Sequence, residues 1–271
     1  MRIAGTLAGA ALQQFNMDYG RLDKLTLFES RDRPAPNAFL VRQHPGVTLP
    51  THYHHTAQFQ VVAEGSGTLG RHDLMPFTVH YAGQESAYGP LAAGPDGLGY
   101  FTLRPLFESG SYIMPGARAH MSPGIRRRSV TCEPMPAMSA QALAEIGAST
   151  CEPVIEPDET GLACWRLRVA PGSCVQIPLQ VGGLGRFLLV TQGSLNEGGR
   201  SLPPLSVLWE GTVAGASGGD SEVSQATDHD LPLVAGPSGL ELLVMQFPSN
   251  ALDHKTPPAG KTVGRPVPAA A

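Results

Sequence analysis

Hydrophobic positions in this chain come in short runs rather than long periodic ones. PFTVHYAG (76–83), LAAGPDGLGYFTLRP (91–105), PLSVLWEG (204–211) and LVAGPSGLELLVMQFP (233–248) are each bounded or broken by Gly and Pro. Apolar segments with the 3.6-residue period of an amphipathic helix are scarce. Turn-formers between β-branched and aromatic runs predict an all-β chain. The exception is SAQALAEIGA (139–148), where helix-forming residues follow a serine, and a short helix capped by Ser139 is expected.

The runs also repeat. VVAEGSGTL (61–69) is answered by LVTQGSL (189–195), and HPGVTLPTHYH (44–54) by APGSCVQIPLQ (170–180). The offset is 126 at Gly46/Gly172, 128 from Gly65/Gly193 through Gly83/Gly211, and 142 at Gly94/Gly236. Stepwise offsets are what loop insertions in a duplicated domain produce. The largest step falls on a Gly/Ser/Asp-rich stretch, residues 212–230, which reads as a surface loop of the second copy. The pattern divides the chain into a first β-domain (1–116), a connector carrying the short helix (117–159), a second β-domain (160–250) and a flexible Pro-rich tail (251–271).

Composition narrows the function classes. The chain has 271 residues, 15% charged, with a formal net charge of −4. The only basic run is Arg126-Arg127-Arg128, which reads as a solvated loop, so nucleic acid is not expected as a partner. The four cysteines, Cys132, Cys151, Cys164 and Cys174, lack CxxC spacing and read as reduced thiols of a cytoplasmic protein. No run approaches the roughly 20 apolar residues of a membrane span, and MRIAGTLAGAAL is too Gly/Ala-diluted for a signal peptide.

The chemistry concentrates in GVTLPTHYHHTAQFQVVAEG (46–65). Residues i and i+2 of a strand share a face, so His52 and His54 point into one interior; Gln58 keeps their parity, while His55 is expected to face outward. Gly46, five residues, His52-Tyr53-His54, three residues, Gln58, six residues and Gly65 resemble the first motif of the cupin superfamily, with glutamine at the usual glutamate position. The resemblance covers roughly residues 36–107 and 160–247. It implies two tandem cupin barrels (double-stranded β-helix, or jelly-roll), a bicupin. The second cupin motif, Pro-x-Gly-x-x-His, corresponds to Tyr81-Ala82-Gly83-Gln84-Glu85-Ser86, with Ser86 in the histidine's slot.

Two imidazoles and an oxygen donor suit a divalent ion, Fe(II) first and Mn(II), Ni(II) or Zn(II) as alternatives. His52, His54 and Gln58 are therefore the expected metal ligands, with Tyr88 or Glu85 as further ligand or proton carrier. On alternation, Phe77, Val79 and Tyr81 form the apolar inner face and His80 points away. In the second copy Pro178, Gln180 and Arg186 occupy the equivalent positions, so it cannot hold the same ion. His120 and Asp228-His229-Asp230 read as surface residues. The resemblance implies a mononuclear non-haem Fe(II) dioxygenase acting on a small organic molecule, with a cupin isomerase or lyase as its nearest variant. The alternative is a non-catalytic small-molecule-binding bicupin, favoured by Ser86 and Gln58. Dimerisation through sheet edges is also implied.

Overall fold

The structure is a computed structural model and describes residues 1–30, 35–108, 110–178, 183–211 and 231–251. Its strands are antiparallel, and the chain divides into two compact β units. Residues 212–230, including Asp228-His229-Asp230, and the tail from 252 onward lie outside the described residues.

The first unit spans Ala10–Pro136. Its main sheet runs, edge to edge, Ser129–Thr131, Val79–Ala82, Gln58–Leu69, Leu91–Arg104, Asn37–Gln43, Gly20–Phe28 and Ala11–Met17. A small ladder pairs His52–Tyr53 with Tyr112–Ile113. Val62, Leu69, Ala82, Tyr88, Leu98 and Tyr100 pack together within this unit. The second unit, Met1–Gly9 with Ala137–Asn250, orders its strands Arg2–Gly5, Val207–Gly211, Gly185–Glu197, Leu233–Phe247, Ala163–Val169 and Thr150–Ile155.

The repeat read from the sequence is written into the backbone. Gly65 (φ 71°) and Gly193 (φ 74°) sit at equivalent bulges, and a Cβ there would stand 2.2 Å from the Gly97 carbonyl oxygen and 2.1 Å from that of Gly239. Only glycine permits that approach. Phe77 (φ 65°) and Leu205 (φ 63°) share the left-handed conformation, and their amides donate to Val62 and Val190 at 2.8 Å. These pairs keep the 128-residue offset.

The domain boundaries need correction. Residues 1–9 do not belong to the first barrel: Arg2–Gly5 pairs with Val207–Glu210, and Arg2 donates to the Glu210 carboxylate at 2.8 Å. The stretch 117–159 is not a free connector either. Ser129–Thr131 joins the first unit's sheet and Thr150–Ile155 the second's, each completing a sheet edge. The helix forms as expected, Ala140–Ala144, with Ser139 Oγ accepting from the Ala142 amide at 3.2 Å.

Candidate functional site

The first unit encloses a cavity of about 330 Å³, lined by His52, His54, Gln60, Tyr88, Thr102 and Arg104 on its polar side and by Phe39, Val41, Leu49 and Tyr100 among its apolar residues. That size falls at the small end of the roughly 300–1,000 Å³ of ligand pockets. Four pieces of backbone build the polar site. The strand His52–Tyr53 and its continuation supply His52 and His54, whose rings meet edge to face at 5.3 Å. Gln58 opens the long strand Gln58–Leu69, and Arg104 ends the neighbouring strand Leu91–Arg104, where Leu103 pairs with Phe59. Tyr88 comes from the segment after Val79–Ala82, held by reciprocal backbone hydrogen bonds with His52 at 3.0 and 3.1 Å.

These side chains form a directed chain of hydrogen bonds. The carbonyl of Pro50 can only accept, so the His52 Nδ1–H that lies 2.8 Å from it must donate. That fixes the neutral tautomer with a lone pair on Nε2, and the Tyr88 hydroxyl, 2.9 Å away, donates to it. Gln58 Nε2 donates to the Tyr88 oxygen, and Arg104 Nε donates to Gln58 Oε1 at 2.9 Å. Arg104 Nη1 donates to the Glu108 carbonyl at 3.0 Å. Its Nη2 stands 3.2 Å from Nδ1 and 3.1 Å from Nε2 of His54. Near-equal distances set the guanidinium against the ring as a whole rather than on one lone pair.

Burial fixes the protonation states. Desolvation pushes His52 down to about 4, the Pro50 bond opposing it and Arg104 adding to it. Burial and then the Arg104 charge hold His54 well below the ordinary histidine range. Burial lowers His80 to about 3 and raises the Tyr88 hydroxyl. At neutral pH the cluster comprises three neutral imidazoles (His80 behind Tyr88), a protonated phenol, the Gln58 amide and one guanidinium.

The structure brings His52, His54, Gln58 and Tyr88 together and leaves Glu85 out. Glu85 is 2% exposed but turns from the cavity, because three other groups claim its carboxylate. The Ser122 amide and hydroxyl and the His55 Nδ1–H donate to it, and Arg127 approaches at 3.3 Å. The proton-carrier role assigned to Glu85 is therefore corrected to that of a fastener of the 116–128 segment. His55 is buried rather than outward, because the strand ends at Tyr53 and alternation ends with it. His80 also reverses the expectation: its ring lies 5.1 Å from that of Tyr88. Every residue of Val79–Ala82 is buried, so the apolar residues of that strand do not mark the inner face. Ser86 Oγ accepts the Arg128 amide at 2.9 Å, and His120 is exposed as expected.

Arg104 escaped the sequence reading. A signal existed in the repeat: Gln58 corresponds to Arg186, and the register that pairs Arg186 with Gln246 gives Arg104 the glutamine Gln246 as counterpart. A Gln/Arg pair with its members exchanged between copies marks neighbouring positions whose chemistry differs.

The donor set does not fit a divalent ion as arranged. The Nε2 lone pair of His52 takes the Tyr88 proton, Gln58 Oε1 takes the Arg104 N–H, and no carboxylate joins them. No cluster of three or more His, Cys, Asp or Glu suited to a metal occurs among the described residues. A dication about 4 Å from a guanidinium would meet repulsion on the order of 8 kcal/mol at an effective dielectric of about 20.

No protein-family model matches the chain, and no curated protein sequence matches it. Solved structures do. A candidate dioxygenase of Nostoc punctiforme is similar at TM-score 0.59 and 11% identity, over 95% of this chain and 85% of that one. Escherichia coli pirin YhhW in complex with nickel(II) is similar at 0.51 and 13%, over 92% and 99%. Lactobacillus farciminis oxalate decarboxylase, in its formate complex, is similar at 0.53 and 13%, over 92% and 86%. Among the described residues no helix is long and apolar enough to cross a membrane. At these identities the likeness extends to architecture: the chain has the all-β, two-barrel cupin fold.

Proposed function

We propose that the first barrel binds one small organic molecule in the cavity floored by His52, His54, Tyr88 and Arg104, with Gln58 behind them and without a resident metal. The observation that carries this reading is Arg104. Its guanidinium contacts both Gln58 Oε1 and the His54 ring, the groups a cupin metal would need, and supplies a fixed positive charge there. The protonation states favour binding over proton-transfer catalysis. A general acid or base works best with a pKa near the working pH, and His52 lies well below neutrality while Tyr88 lies above its ordinary range.

A second reading is Fe(II)-dependent dioxygenase chemistry with His52, His54 and Gln58 as ligands. It is favoured by one feature: His80 Nε2 is buried beside Tyr88 with no hydrogen-bond partner among the described residues. Neutral imidazoles His52, His54 and His80 would then surround the ion, with Arg104 withdrawn from Gln58 and His54. When bound, the ion would supply Lewis-acid activation of substrate. The two readings separate on metal content, measured by inductively coupled plasma mass spectrometry after loading with Fe(II) under anaerobic conditions and dialysis. The binding reading expects no stoichiometric metal. About one ion per chain, lost in a His52→Ala/His54→Ala variant, overturns it in favour of the metal site.

A further inference from the structure

Arg104 is 4% exposed and is the one arginine among the buried polar residues of the described chain. A buried charge is costly unless an opposite charge or a full set of hydrogen bonds meets it. Three partly buried arginines meet carboxylates: Arg2 with Glu210 at 2.8 Å, Arg168 with Glu241 at 2.8 Å and Arg186 with Glu210 at 2.6 Å. Arg104 has only neutral partners: the Gln58 amide, the Glu108 carbonyl and the His54 ring. The Glu108 carboxylate acts on it through space, yet its oxygens accept the amides of His55 and Thr56 at 3.0 and 2.8 Å. No carboxylate lies within ion-pair distance of Arg104 among the described residues.

A guanidinium carries five N–H donors, of which the contacts above engage three at most. At least two remain on a group that lines an open cavity. Paired guanidinium donors are matched by the two oxygens of a carboxylate. Beside polar lining that includes Lys24, Gln60, Thr102 and Glu108, the cavity has one apolar wall: Phe39, whose ring centroid lies 5.6 Å from the Arg104 guanidinium carbon, together with Val41, Leu49 and Tyr100.

We infer that the cavity takes a small monocarboxylate, with its carboxylate on Arg104 and a compact apolar body against Phe39, Val41, Leu49 and Tyr100. This assignment rests on the small-molecule reading of the site and adds the ligand's chemical class. The apolar wall separates such an acid from an inorganic anion, which would leave it wet. The ligand completes the charge balance that the fold leaves open, so its binding is a difference between an acid and its neutral isostere rather than a matter of shape alone.

The test is isothermal titration calorimetry of the full chain with benzoate, phenylacetate and hexanoate, each beside its primary amide. At least one acid is expected to bind with a Kd under about 1 mM and its amide about tenfold more weakly. Arg104→Gln should erase that preference, bringing the acid-to-amide affinity ratio from about tenfold down to about one. Amides that bind as tightly as the acids overturn the carboxylate assignment and leave the small-molecule reading standing. Acids and amides that all fail to bind at about 10 mM overturn both. If Arg104→Gln does not fold, the acid-to-amide ratio of the unmodified chain decides alone.

Discussion

Replacing Glu85 with glutamine separates a structural fastener from a catalytic group. The carboxylate accepts from the Ser122 amide, from Ser122 Oγ at 2.9 Å and from His55 Nδ1 at 2.9 Å, with Arg127 Nη2 at 3.3 Å. Burial raises its pKa, but the hydrogen bonds from Ser122 and His55 prevail and hold it below the usual carboxylate range. Glutamine keeps the shape and one acceptor oxygen and puts an NH₂ where the other oxygen met a donor. Hydrogen bonds to a charged group contribute about 1.5–3 kcal/mol each, and one donor left facing another costs a similar amount. The net loss is about 3 kcal/mol. For a chain of this size that lowers Tm by about 6–12 °C. A depressed carboxylate pKa stabilises the folded state above the unfolded pKa and loses that contribution as pH falls through the folded value. The variant should therefore also show a shallower loss of stability in acid. Calorimetric melts from pH 7.5 down to 4 measure the stability loss and its pH slope, and phenylacetate titrations at pH 7.5 measure binding. An unchanged Tm with abolished ligand binding would refute the assignment and return Glu85 to the cavity.

Two further outcomes follow from the floor. Tyr88→Phe removes the donor to His52 Nε2 and the acceptor of Gln58 Nε2, and should cost about 2 kcal/mol in urea unfolding; an unchanged midpoint would mean the directed chain does not exist. His52 at about 4 and His80 at about 3 lie below their ordinary 6.5. The unfolded chain therefore binds protons that the folded one refuses, and stability should fall as pH drops through 6.5 toward 4 by on the order of 3 kcal/mol per histidine. His80→Gln should flatten that slope in urea midpoints taken from pH 8 to 5, and identical slopes for the variant and the unmodified chain would contradict the neutral, buried His80.

Much of the architecture was legible because it depends on local rules. Gly65 and Gly193 are needed where a carbonyl crowds the Cβ position, so the bulge repeats at a fixed offset. His52 and His54 converge because i and i+2 share a face. The failures come where local rules lose their meaning. Alternation cannot mark an inner face on Val79–Ala82, where both faces are buried, and it ends at Tyr53, before His55. Arg2–Gly5 entered the wrong domain because its partner, Val207–Glu210, lies some two hundred residues away. Arg104 and Glu85 are settled by long-range hydrogen bonds that no sequence period encodes. The motif offers Gln58 as a metal ligand, and its oxygen instead accepts from a guanidinium 46 residues on.

The central claim is that hydrogen-bond donors, not an ion, occupy the lone pairs of His52 Nε2 and Gln58 Oε1, with Arg104 set against the His54 ring. Long-range proton–nitrogen-15 spectra of the histidine rings test it directly, recorded before and after one equivalent of Zn(II). The account predicts His52 protonated on Nδ1 and accepting on Nε2, with the His52 and His54 signals unmoved by zinc. Joint displacement of both Nε2 resonances at one equivalent would contradict it and restore the metal.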